Sequence, residues 1–192
     1  MYYATDQLYK ILTLRHRNNQ MILKFLIFWQ QFGWNPYCFP RIENEDILDS
    51  EYLPPLLEGL DHGVIWIPLK SSKENDDTIE EKINDIFREI KEVTEISSSV
   101  AILYDENKEL AKRIKNLNKK FFGPYEEFKF NGREADIVIH VSSIDLDIQT
   151  LSRARRLLIV VSDPDYHNQW TNGSENFKAM NIAVKNNLVK KV

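Results

Sequence analysis

Three arginines fall within four positions, Arg153, Arg155 and Arg156, and the chain then turns wholly apolar from Leu157 to Val161. A guanidinium is always charged and presents a fixed fork of donors that matches phosphate oxygens. An arginine cluster beside a buried strand could therefore neutralise an anion. It could equally be the solvated end of a helix, with Arg153 paired to Asp145 or Asp147. Upstream, Phe130-Asn-Gly132-Arg-Glu134-Ala-Asp136 places a turn glycine and a carboxylate just before a second apolar run, Ile137 to Val141.

Other chemistries lack their residues. There is no G-x-x-x-x-G-K-[ST] and no G-x-G-x-x-G, the usual phosphate-cradling turns. His16, His62, His140 and His167 are scattered, with no metal-ligand spacing, and no metal is expected. The single cysteine, Cys38, has no partner, so a reducing intracellular compartment, cytoplasm or nucleus, is the simplest reading. Gly59-Leu-Asp-His-Gly63 imitates a nucleophile elbow, but it precedes a strand and reads as a turn. The net charge is −4, so any polyanion contact must come from a local patch. The apolar run Met21 to Phe32 contains a lysine and two glutamines and is too short to span a bilayer. No membrane partner is expected.

The elements that would position these residues follow from periodicity. The 192 residues suit one domain. Strands are expected at 8–15, 64–69, 98–104, 125–130, 136–141 and 157–162. Helices are expected at 18–33, at 78–96 with Asp77 or Thr78 as cap, at 107–121, at 144–156 as a helix or loop and helix, and over 170–192. Residues 34–63 read as an irregular excursion. Short apolar strands alternating with helices indicate an α/β fold with a mainly parallel sheet covered on both faces. Ligands of such sheets sit at the carboxyl ends of the strands, here after Leu14, Leu69, Tyr104, Phe130, Val141 and Val161.

The segments Asn-Gly-Arg-Glu-Ala-Asp-Ile-Val-Ile (131–139) and Thr-Leu-Ser-Arg-Ala-Arg-Arg-Leu-Leu-Ile-Val-Val (150–161) resemble motifs V and VI of superfamily 1 (UvrD-like) helicases. Those motifs read approximately K-G-L-E-x-x-x-V and L-[ST]-R-A, each beside a core strand of the C-terminal RecA-like lobe. The run Leu12-Thr-Leu-Arg-His16-Arg17-Asn18 resembles motif IV, and the compact form also resembles the helicase-like part of Schlafen proteins. The resemblance covers residues 8–162. It implies a RecA-like, P-loop NTPase-type fold and ATP-dependent remodelling of nucleic acid. Arg153, assisted by Arg17, would meet the γ-phosphate, Glu134 would bond the nucleotide ribose, and Gly132 would allow the close turn. A helix containing Leu151 to Ala154 would hold Arg153 over the cleft.

The departures define what the chain would lack. Asn131 stands where the family has lysine, Arg133 where it has leucine, and His16 where it has tyrosine. The Walker A lysine and Walker B acids belong to a first lobe with no counterpart here. ATP with magnesium would therefore bind only together with such a lobe, and no autonomous hydrolysis is expected. The implied partners are that lobe and DNA or RNA. The alternatives are a non-enzymatic interaction module on a degenerate helicase lobe, or an unrelated α/β nucleotide-binding domain.

Two further features have bland readings. Phe25, Phe28 and Trp29 are expected in the core rather than on a base-stacking platform. The basic run 107–120 is expected to be a solvated helix face.

Overall fold

The computed structural model describes residues 18–32, 53–68, 76–90, 99–105, 107–130, 132–143, 148–163 and 173–192. The strand expected at 8–15, Arg17, the excursion over 34–52, the helix beyond Ile90, and Asp145 and Asp147 lie outside the described residues.

The order is α1 (Gln20–Phe32), β1 (Val64–Pro68), α2 (Asp76–Glu89), β2 (Val100–Tyr104), α3 (Lys108–Leu117) and β3 (Phe122–Glu126). A short 3-10 helix (Glu127–Phe130) follows, then β4 (Ala135–Ser143), α4 (Ile148–Leu151), β5 (Ala154–Asp163), α5 (Gly173–Lys185) and β6 (Lys190–Lys191). The sheet order is β3-β2-β4-β5-β1-β6. Every pairing is parallel. This is the α/β, RecA-like arrangement expected from the sequence.

The period of two divides each of the four central strands, β1, β2, β4 and β5, between two cores. Val64, Trp66, Leu103, Val138, Leu158 and Val160 face α1 and α5, whose Ile22, Phe25, Trp29 and Met180 complete that layer. Ile65, Ile67, Ile102, Ile139, Ile159 and Val161 face α2 and α3, against Ile79, Ile83, Ile86 and Ile114. Phe25, Phe28 and Trp29 are buried, with the Phe25 and Trp29 rings 5.6 Å apart, so the aromatic run is core. One polar contact is locked into the first layer, where the Trp66 indole N–H donates to Ser162 Oγ at 2.7 Å.

Side-chain caps start two helices. Asn19 Oδ1 accepts from the Ile22 amide at 2.9 Å, and Asn107 Oδ1 accepts from the Leu110 amide at 3.1 Å. In α3 the buried Leu110, Ala111 and Ile114 turn the lysines outward, as the periodicity requires.

Four boundaries correct the sequence reading. Helix α2 begins at Asp76, so Asp77 and Thr78 lie in its first turn rather than at its cap. The third strand runs Phe122–Glu126, and the expected strand residues 127–130 instead form the 3-10 helix. The expected helix over 144–156 is helical only at Ile148–Leu151, and β5 begins at Ala154. The last helix stops at Lys185, and Lys190–Lys191 adds a short strand beside β1.

Candidate functional site

Strands β4 and β5 enter the sheet side by side, with Ala135 in register with Ala154. The Ala135 amide donates to the Arg153 carbonyl at 3.1 Å. Glu134 and Arg153 are therefore neighbours on one edge, each the last residue before its strand. Gly132 lies in the turn before Glu134, where the Arg133 amide donates to the Phe130 carbonyl at 3.1 Å. Its φ of +78° is left-handed, which glycine adopts without penalty, and no heavy atom lies within 4 Å of where a Cβ would stand. Gly132, Arg133 and Glu134 are exposed.

Arg153 is half-buried in a turn, not in a helix. Helix α4 ends at Leu151, and the Arg153 amide donates to the Thr150 carbonyl at 3.1 Å. The expectation of a helix reaching Ala154 is thus corrected. What fixes the turn is burial on either side, since Leu151, Ser152 and Ala154 are all nearly inaccessible.

The strongest clamp on this turn comes from far along the chain. Asn18 is fully buried. Its Nδ2 donates to the Ser152 carbonyl at 2.9 Å and to the Ala154 carbonyl at 2.6 Å, straddling Arg153. Asn19 continues the clamp, its amide donating to the Arg155 carbonyl at 2.7 Å and its side-chain Nδ2 to the Arg156 carbonyl. Gly63 closes against it, because a Cβ there would stand 2.7 Å from Asn19 Oδ1. Arg17 lies outside the described residues, but its sequence neighbour Asn18 is part of this edge.

The other two arginines have structural work. Arg155 is exposed and lies 3.7 Å from the Asp136 carboxylate. Asp136 in turn accepts from the Ser99 amide at 3.1 Å and donates its own amide to Ser99 Oγ at 3.0 Å, tying β4 to the start of β2. Arg156 donates to the Pro55 carbonyl at 2.9 Å, which ties the segment before β1 to β5. Arg133, where the resembling family has leucine, lies 5.9 Å from the centre of the Tyr125 ring.

Three of the four expected site residues therefore share one edge, and that edge is formed by the amino ends of β4 and β5. The carboxyl-end expectation does not describe this cluster. Sequence reasoning did not single out Asn18 for this clamp, nor Asn19, Ser99 or Asp136. The available signal was the Asn18-Asn19 pair before an apolar helix, which announces a cap but not its contact across the sheet.

The edge offers a cation, a carboxylate and a glycine turn to a ligand. Among the described residues it offers no phosphate-cradling loop. Among the described residues no group of three or more His, Cys, Asp or Glu could hold a metal ion. No helix among them is long and apolar enough to cross a membrane. The Gly59–Gly63 segment is a turn before β1, where Asp61 meets His62 at 2.9 Å and Lys190 at 3.5 Å.

No protein-family model matches the chain, and no curated protein matches it. Among solved structures it is similar to the C-terminal domain of a possible DNA helicase from Lactobacillus plantarum WCFS1. The two share 14% identity over 92% of this chain and 98% of that one, with a TM-score of 0.49.

Proposed function

We propose that the chain is the second motor lobe of a superfamily 1 helicase-like ATPase, inactive alone. Its amino-end edge would supply Arg153, with Arg17, to the γ-phosphate of an ATP held by a separate first lobe. Glu134 would bond the ribose, and Gly132 would let the backbone approach the nucleotide. One observation carries the reading: Gly132, Glu134 and Arg153, distant in sequence and named by motif order, are gathered where β4 and β5 enter the sheet, and Asn18 pins the Arg153 turn.

The physical logic is charge. A phosphoryl group in transfer spreads negative charge over its oxygens, and a guanidinium offered from a rigid turn stabilises it. By the resemblance, the magnesium ligands and the catalytic base would belong to the first lobe. When bound, ATP with magnesium supplies the phosphoryl group that is cleaved. The role of this chain is to position its cation and carboxylate.

The test mixes the chain with a Walker A- and B-bearing first lobe, from the same gene or a neighbouring one, and measures ATP hydrolysis. Arg153→Ala is expected to lower the rate on the order of 10³-fold. Arg155→Ala, which changes a neighbouring exposed arginine, is expected to leave it within about threefold. Equal hydrolysis with wild type and Arg153→Ala removes the arginine assignment. No hydrolysis in any mixture favours the interaction-module alternative.

A further inference from the structure

Residues 108–133 carry eight Lys or Arg against three Asp or Glu, an excess of five positive charges in a chain of net −4. The fold brings much of this segment to one border of the sheet, because β3 is an edge strand and α3 leads into it, while Arg113 is taken up by Glu80 of α2 at 2.9 Å. At the amino end of β3, Lys119 and Lys120 are exposed, and neither ammonium meets a carboxylate among the described residues. At its carboxyl end Lys129 pairs with Glu126 at 2.9 Å. The fields of Lys108 and Lys112 also reach this end, at Glu126 and at Tyr104. Lys112 is itself paired with Glu109 at 2.7 Å and Glu127 lies at the same end, so the charge excess of this border rests mainly on Lys119 and Lys120.

Two aromatic rings stand out of the same border. Phe122 is 56% exposed and Phe128 is 66% exposed. Among the described residues the only other exposed large apolar side chain is Val192. Neither ring belongs to the buried core; Lys120 stands two residues before Phe122, and Phe128 lies between Glu127 and Lys129. Lys129 Nζ lies 5.5 Å from the centre of the Phe128 ring. Pro124, in the middle of this edge strand, has no amide to donate, which disfavours the addition of another strand. Recognition at this border would therefore fall to side chains.

Aromatic faces interspersed with cations fit a single-stranded nucleic acid, whose unpaired bases stack on rings while lysines neutralise phosphates. We infer that the β3 edge is a single-strand nucleic-acid platform, with Phe122 and Phe128 as stacking rings and Lys108, Lys119, Lys120 and Lys129 as phosphate contacts. The inference rests on the proposed function for the class of ligand, but it requires neither ATP nor a first lobe. It places nucleic acid on a border of the sheet distinct from the amino ends of β4 and β5.

The test is fluorescence anisotropy of the whole chain with labelled 20-mers of oligo-dT and oligo-U and a DNA duplex of equal length. Expected is binding of the single strands, stronger than of the duplex, that weakens steeply with salt. Phe128→Ala is expected to weaken it about tenfold. Phe128→Trp is expected to keep it, because the stacking face remains. Lys119→Glu with Lys120→Glu is expected to weaken binding and flatten the salt dependence. Both phenylalanines are exposed, and circular dichroism melting checks that the variants fold. No binding at low salt overturns the platform. Unchanged binding by Phe128→Ala overturns it too, as does equal affinity for duplex, or competition by polyglutamate with no effect of either aromatic variant. Because binding is read without ATP, it can fail while the Arg153 hydrolysis test succeeds, and the reverse.

Discussion

The side-chain amide of Asn18 reaches across the sheet entrance and donates to both carbonyls flanking Arg153, those of Ser152 and Ala154. It does so from full burial, where a carbonyl left without a donor is costly. The Arg153 turn is thus held by a residue more than a hundred positions away in sequence.

Removing that donor should be felt in stability. Asn18→Ala leaves two carbonyls short of a donor and is expected to cost about 2 kcal/mol. Asn18→Asp should cost more, because it sets carboxylate oxygens against carbonyl oxygens in a dry site. Urea unfolding of the three proteins measures both effects. A midpoint for Asn18→Ala that corresponds to a loss below about 0.5 kcal/mol, the range of an ordinary surface change, would show that the clamp is not used.

Two left-handed glycines should respond differently to the same change. At Gly59 the φ is +97°, and an added Cβ would collide with the Glu89 carbonyl oxygen, which is backbone and cannot swing away. At Gly132 the φ is +78°, but the space around a Cβ is open. Gly132→Ala should therefore cost only the left-handed backbone term, about 1–2 kcal/mol. Gly59→Ala should exceed it, because the collision adds to that term. Thermal or urea unfolding of the pair decides the order, and a smaller loss at Gly59 would contradict the packing described there.

Much of the fold was legible because apolar runs and helical periodicity report burial directly. Val64 to Ile67 and Leu157 to Val161 are continuous apolar runs, and the strands they form are buried on both faces. The hidden parts have identifiable causes. The strand Phe122–Glu126 carries Gly123-Pro124, which reads as a turn, yet an edge strand tolerates proline. The residues Arg153 to Arg156 look like a helix end, but buried Ala154, exposed Arg155 and half-buried Arg156 already approach the period of a strand. The two-residue strand at Lys190–Lys191 is too short and too polar to show any period. For the site, motif order brought Gly132, Glu134 and Arg153 forward. The contacts of Asn18 and Asn19 with residues 152–156 were invisible, because a local cap signal carries no information about a partner so far away.

The last prediction concerns pH at the β3 edge. The Lys129 ammonium beside Glu126 holds its carboxyl below the ordinary glutamate range, against partial burial that pushes it up. The Tyr104 hydroxyl, 3.3 Å away, adds to the lowering, and Tyr104 itself is pushed up, first by burial and then by the Glu126 charge. A depressed carboxylate pKa favours the folded state above the unfolded value. That contribution is lost as pH falls through the folded value, so it should fade as the pH drops below the ordinary glutamate range. Lys129→Gln removes the largest cause. In that variant the Glu126 carboxyl, followed by NMR titration, is expected to move up towards the ordinary range. The acid limb of its stability curve should flatten relative to wild type. Tyr104→Phe is expected to produce a smaller upward movement, because the hydroxyl ranks behind the ammonium. An unchanged Glu126 titration in Lys129→Gln would mean that the pair at 2.9 Å does not persist in solution.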